Sequence, residues 1–175
     1  VIGTTGFTRK EEILIKKLQF NHDSLSYFSL KMGRVLMNQN SVSIHARRGD
    51  YIDNKVYNNL YHECNEHYFR SAITFISERI PGAKFYVFSD DVEWAIAQSF
   101  FNNCNFIDYE TASGSWNDLF LMSCCKHNII ANSSFSWWGA WLNQYSEKIV
   151  IGPEKWFQSE NLYEFNPIPE NWIQM

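Results

Sequence analysis

Apolar residues recur at helical spacing from Glu11 to Leu36, first as Ile13, Leu14 and Leu18 and then as Leu25, Phe28, Met32, Val35 and Leu36. Two helices are expected there. Ser41 to Ala46 is a short β-prone run that stops at the polar cluster Arg47-Arg48-Gly49-Asp50, the pattern of a strand ending in a loop. Tyr61 to Ile80 places Tyr68, Phe69, Ala72, Ile73 and Ile76 on one helical face, and Pro81-Gly82 terminates it. A second strand follows at Lys84 to Phe88. Ser89 can then cap a helix from Asp91 to Phe100, whose acidic first turn suits the helix dipole. Further along, Asn105 to Ile107, Asn128 to Ala131 and Lys148 to Ile151 read as strands, separated by helices at Asp118 to Cys125 and Phe135 to Gln144.

Strands alternating with helices of this length form right-handed parallel crossovers, so the fold class expected is α/β, a Rossmann-like open parallel sheet with helices on both faces. The division expected is a helical lead-in over residues 1–40, the sheet domain over 41–152, and a tail over 153–175 packed on that domain. The tail is rich in Pro, Trp and Glu and reads as irregular. Ligands in such sheets bind beyond the carboxyl ends of the strands, which directs attention to three loops: Arg47 to Asp50, Ser89 to Asp91 and Asn132 to Ser136.

Composition narrows the classes. The 175 residues are 45% hydrophobic and 19% charged, which fits one packed domain and excludes a disordered or collagen-like chain. A net charge of -4 argues against nucleic-acid and anionic-membrane partners, which need a broad excess of Lys and Arg. Any anion must be gripped locally. No apolar run reaches the roughly 20 residues of a membrane span, and no signal-peptide pattern opens the chain. Cys64, Cys104, Cys124 and Cys125 lack metal-type spacing and read as reduced thiols in a cytosolic setting, the adjacent pair as small core residues. Val1 in place of Met suggests that an upstream segment has been removed.

In His45-Ala46-Arg47-Arg48-Gly49-Asp50-Tyr51, two arginines sit at a strand mouth before a glycine that permits a turn. A guanidinium matches phosphate by paired, charge-assisted hydrogen bonds and can neutralise a pyrophosphate without a metal. The plainer reading is a surface ion pair such as Arg48 with Asp50. An Arg-Gly-Asp adhesion sequence is the least favoured reading, because the tripeptide abuts a buried strand. The run from Ile129 through Asn132-Ser133-Ser134-Phe135-Ser136 into Trp137-Trp138-Gly139-Ala140-Trp141 passes from a strand through hydroxyls into a helix. Such a helix start binds phosphate through free N–H groups, although a serine N-cap alone would look the same. Trp137 and Trp141 share a face that suits the core, and Gly139 permits close approach of a neighbouring helix. Asn132-Ser133-Ser134 is also a glycosylation sequon, at a strand end unsuited to modification. Ser89-Asp90-Asp91 could hold a divalent cation, but the adjacent carboxylates lack a spaced partner, so capping or a hydroxyl or base contact is favoured. Asp118, ahead of an apolar helix, could accept from guanine N1 and its amino group or serve as a cap.

These motifs, with Phe88-Ser89-Asp90-Asp91, the block from Asp118 to Leu142 and Lys148-Ile-Val-Ile-Gly-Pro through Trp156, resemble the α-1,2-fucosyltransferase family over roughly Ser41 to Trp156. The resemblance implies a glycosyltransferase of two Rossmann domains that uses GDP-β-L-fucose, with no cofactor and no metal. It implies that Arg47 holds the pyrophosphate, that His45 and Asp118 lie near ribose or guanine, and that Ser133, Ser134 and Ser136 meet phosphate. Arg48, Ser89, Asp90, Asp91 and Asn132 complete the expected donor site. Ala46 stands where the family commonly carries a larger β-branched residue. The family's glycine-rich first-domain segment has no counterpart here, so the likeness is to the C-terminal, donor-binding half, with an N-terminal acceptor domain missing.

The implied reaction is an inverting attack by a terminal galactose hydroxyl of a glycan, with Arg47 stabilising the departing diphosphate and Asp50 as the motif carboxylate available to take the acceptor proton. A carboxylate of the missing domain is an equal candidate. The alternatives are a protein O-linked or α-1,6 fucosyltransferase and a non-catalytic GDP-binding or adhesion module. The location expected is cytoplasmic and peripheral on the inner membrane for a bacterial source, or the Golgi lumen for a eukaryotic one.

Overall fold

A computed structural model describes residues 18–48, 64–107, 114–157 and 166–175 of the chain. Asp50, and the Ile13 and Leu14 positions of the first expected helix, lie outside the described residues. Helix α1 (Tyr27–Met37) begins where Ser26 accepts a hydrogen bond from the Ser29 amide at 3.0 Å. It leads into β1 (Ser41–Ala46), every residue of which is buried. Helix α2 (Glu66–Arg79) is capped by Asn65 and stopped by the turn at Gly82, whose φ of 70° suits glycine. Then come β2 (Lys84–Ser89), α3 (Val92–Ala97), β3 (Asn105–Ile107), α4 (Ser115–Cys124), β4 (His127–Ile129), α5 (Ser134–Leu142), β5 (Val150–Gly152) and β6 (Ile173–Gln174).

The six strands form one sheet in the order β3-β2-β1-β4-β5-β6, and every pairing is parallel. This is the expected α/β architecture. Strand alternation sends Val42, Ile44 and Ala46 to one face, where they pack with Phe69, Ala72 and Ile76 of α2 and Ala95 of α3. On the other face Tyr86 and Phe88 of β2 meet Leu36 of α1 and Leu121 and Met122 of α4. Helix α5 joins that layer closely, for a Cβ added at Gly139 would lie 3.1 Å from Met122 Cβ. Trp141 packs with Trp156, Ile168 and Trp172 in a third cluster that seats the C-terminal segment against α5.

Several boundaries differ from expectation for local reasons. The helix expected from Asp91 to Phe100 breaks after Ala97, because Gln98 is extended, and resumes as a 3-10 turn at Ser99–Phe101. Asp91, not Ser89, caps it, accepting from the Trp94 amide at 3.0 Å. Helix α4 opens at Gly114, whose φ of 108° makes the entry turn, so Asp118 falls inside its first turn. The fourth strand begins one residue earlier than expected and the fifth ends one later. Beyond Gly152 the chain contributes a sixth strand, which the Pro- and Trp-rich composition concealed.

Candidate functional site

The order of strands reverses between β1 and β4, which lie side by side in register with Ile44 opposite Ile129. In an open parallel sheet the crossovers leaving two such strands go to opposite faces, and a crevice opens beyond their carboxyl ends. Arg47 follows β1 at this edge. The start of α5 follows β4 at the same edge, so both candidate phosphate-gripping elements share one crevice mouth. Because α4 connects the parallel strands β3 and β4, it runs opposite to them, and its first turn with Asp118 also lies at that edge.

The loop after β1 is held by the turn after β2. Ala46 pairs with Ser89 in register, and the Ser89 hydroxyl donates to the Ala46 carbonyl at 2.8 Å. The same hydroxyl accepts from the Asp91 amide at 3.1 Å. Asp90 takes the Arg47 guanidinium at 2.9 Å and the Arg48 backbone amide, also at 2.9 Å. Arg48 swings the other way, its guanidinium 4.7 Å from the centre of the Trp94 ring and 3.7 Å from Asp91. Thus the structure engages Ser89, Asp90 and Asp91 with the arginine loop and the start of α3.

The loop after β4 is braced by neutral groups. Asn132 is buried and donates to the Trp156 carbonyl at 3.1 Å, an arrangement that leaves its amide a poor glycosylation target. Ser136, 1% exposed, directs its hydroxyl at the Ala131 and Ser133 carbonyls, at 3.3 and 3.2 Å. Tyr68 of α2 donates to the Ile130 carbonyl at 2.6 Å and reaches the Ile151 carbonyl at 3.2 Å, clamping the ends of β4 and β5. Ser133 is the N-cap of α5, yet its side chain makes no cap hydrogen bond, so it leaves the first-turn amides uncapped. Ser134, the first helical residue, is exposed.

Two further side chains stand out because their polar atoms are buried without a hydrogen-bond partner among the described residues: Nδ1 of His45 and Oδ1 of Asp118. Buried polar groups are nearly always paired, so each orphan invites a ligand atom. His45 lies on the α5 side of β1, its ring centroid 5.6 Å from that of Phe135. Burial pushes its pKa down to about 4, with Arg47 acting in the same direction and Asp90 opposing, so the imidazole is neutral at pH 7. Burial pushes the Asp118 carboxyl up to about 6.

A guanidinium and an uncapped helix start at one strand-order reversal can share an anion, and the family match agrees in kind. The model for "Glycosyl transferase family 11" covers residues 15–175. The chain belongs to glycosyl transferase family 11. Within this family it is 37% identical over 177 residues to "Alpha-1,2-colitosyltransferase" of Escherichia coli, an alignment covering 97% of this chain and 61% of that relative. It is 36% identical over 169 residues to "O-antigen biosynthesis glycosyltransferase WbnK" of Escherichia coli, covering 94% of this chain and 55% of the relative. The family 11 chain therefore spans little more than half the length of these relatives.

Of the residues expected at the site, His45, Arg47, Arg48, Ser89, Asp90, Asp91, Asp118, Asn132, Ser133, Ser134 and Ser136 all belong to the carboxyl edge of the sheet in this family 11 domain. Asn132 and Ser136 are committed to backbone carbonyls. Sequence reading overlooked Trp94, Phe135 and Tyr68. Only Trp94 carried a signal, three residues after its capping Asp91, and that signal spoke of a helix start and not of Arg48.

Proposed function

We propose that this domain is the donor-binding half of a metal-independent, inverting α-1,2-fucosyltransferase that takes L-fucose from GDP-β-L-fucose to a terminal galactose of a glycan. The observation that carries the reading is the adjacency, at the strand-order reversal, of the Arg47 loop and the uncapped start of α5. Arg47 and the α5 amides together offer the charge and donors a diphosphate needs. Asp118, with an orphaned oxygen, suits the paired N–H donors of guanine, and neutral His45 suits a ribose hydroxyl or base edge. The Escherichia coli relative named for α-1,2-colitosyl transfer supports the linkage and leaves colitose, the 3-deoxy counterpart of fucose, as the second reading for the sugar.

In the reaction the acceptor oxygen forms a bond to the anomeric carbon as the bond from that carbon to the β-phosphate oxygen breaks. The electron pair leaves with GDP, and the acceptor proton passes to a carboxylate, Asp50 or one beyond this chain. Negative charge grows on the leaving diphosphate, so a fixed guanidinium contributes more in the transition state than in the ground state. Titration of the chain with GDP-fucose, GDP-colitose, GDP-mannose and UDP-galactose tests the reading. GDP-linked sugars should bind at least about tenfold more tightly than the UDP-linked sugar, the discrimination expected when buried polar groups are left unpaired. Equal binding of UDP-galactose would remove the guanine assignment.

A further inference from the structure

Asp90 belongs to a turn that touches β1, and its two carboxylate oxygens have separate duties. One accepts the Arg48 backbone amide at 2.9 Å and the other pairs with Arg47 Nη1 at 2.9 Å. The turn itself is indexed to β1 by strand register, Ala46 opposite Ser89, and by the hydroxyl bond from Ser89 to the Ala46 carbonyl. Asp91 is held in the same turn through its amide on Ser89 and its carboxylate on α3. Asp90 is therefore fixed relative to the backbone that carries Arg47, and its second oxygen gives that guanidinium a fixed contact. The pair is half-exposed on both sides, 29% and 24%, a setting in which an ion pair adds little stability. Orientation is what such a contact can supply. A guanidinium has five N–H donors, so one that meets a carboxylate through Nη1 is able to meet a phosphate as well.

We propose that Asp90 is a positioning residue that acts through Arg47, presenting its guanidinium to the donor diphosphate, and is not itself a donor contact. This rests on the reading of the site as a GDP-sugar site. It replaces the direct donor contact that sequence reasoning assigned to Asp90, and it gives the Phe88-Ser89-Asp90-Asp91 motif a role as the holder of the arginine loop.

A double-mutant cycle on GDP binding decides the matter, read by NMR titration of the 175-residue chain so that millimolar affinities remain measurable. Asp90→Asn keeps the shape and the acceptor for the Arg48 amide but removes the charge opposite Arg47. The expected result is a weakening of GDP binding by about fivefold to tenfold, falling below about twofold when Arg47 is already alanine, as coupled neighbours behave. The same fold loss in both backgrounds would make Asp90 an independent donor contact and overturn the proposal. So would unchanged or tighter binding by Asp90→Asn alone. A variant that loses the dispersed spectrum of the folded chain would mark Asp90 as structural and overturn it equally. Failure of the unmodified chain to bind GDP at all would strike the nucleotide reading first and take this inference with it.

Discussion

The ends of β1 and β4 stand side by side at one sheet edge, yet they are secured by opposite means. After β1 the contacts are charged and half-exposed, Arg47 with Asp90 and Arg48 with Asp91 over Trp94. After β4 they are neutral and buried, Ser136 and Asn132 on backbone carbonyls and Tyr68 on two strand ends. Half-exposed ion pairs are screened and add little stability, whereas buried hydrogen bonds cost their full desolvation when broken. The β1 end is thus a surface cation whose orientation, more than its stability, depends on its partner. The β4 end is a rigid seat whose amides are aimed before any ligand arrives, which is the preorganisation that electrostatic catalysis requires.

The sharpest way to break this contrast is to remove that cation. Arg47→Ala should weaken GDP binding to the chain by roughly 10- to 100-fold, the worth of one or more charge-assisted hydrogen bonds, with little change in melting temperature. Calorimetric titration and a thermal melt read the two effects separately. A loss under about threefold would mean that the helix start holds the diphosphate without help from β1.

Next in size is Asp118→Asn. The carboxyl sits raised to about 6 with one oxygen unpartnered among the described residues, so the ionised form is disfavoured by its surroundings. Guanine N–H donors would favour that ionised form. GDP affinity should therefore fall as pH drops through about 6, because protonation removes an acceptor, and His45, neutral down to about 4, contributes nothing in that window. For stability of the free chain the sign is opposite. A raised carboxyl pKa means that the folded state holds the proton more tightly than the unfolded one, so stability declines as pH rises from about 4 to about 6. Asp118→Asn should accordingly bind GDP about tenfold more weakly, melt no lower than the parent at pH 7, and lose the pH response near 6. A variant that still binds with the parent's pH profile would move the base contact elsewhere.

How much of this was legible beforehand follows from chain distance. Strand β1 is legible because a β-prone run stops at a polar cluster, and its bounds Ser41–Ala46 are those expected, whereas β4 ends at Ile129, two residues before the expected Ala131. The coupling of Asp90 to Arg47 was not legible, since the two are joined across neighbouring strands and no local pattern records which carboxylate meets which guanidinium. Asp91 and Ser89 were readable as helix-start residues, but not their link to Ala46. Strand β6 has two residues, too few to show alternation, and its Ile173 is only partly buried, against the cluster of Val42, Ile44 and Phe69. The orphaned atoms of His45 and Asp118 are three-dimensional facts. Only the alternation of β1 hinted that His45 faces opposite to Ile44 and Ala46.

A smaller effect tests the β4 side. Ser136→Ala removes a buried hydroxyl that ties α5 to the Ala131 and Ser133 carbonyls. It should cost about 1 kcal/mol of stability, read by denaturant unfolding, and change GDP affinity by less than about twofold because the helix amides stay uncapped and available. The family resemblance had placed Ser136 on phosphate. A tenfold loss of affinity with stability unchanged would restore it there and would make the β4 end a set of ligand contacts instead of a braced seat.

The smallest effect concerns Trp94, which lies under Arg48. A guanidinium over an exposed or half-exposed indole is worth about 0.5 to 1 kcal/mol. If Arg48 serves to draw the loop backbone toward α3 while Arg47 faces the crevice, Trp94→Leu should lower stability by about that amount and weaken GDP binding no more than about threefold. The effect should also shrink in high salt, because the parallel contact of Arg48 with Asp91 at 3.7 Å is screened and the loop is already looser. Titrations at low and high ionic strength, on parent and variant together, separate this from a direct role. Were Arg48 a phosphate contact, freeing it from Trp94 would tighten GDP binding, and the charged end of β1 would then offer the diphosphate two cations instead of one.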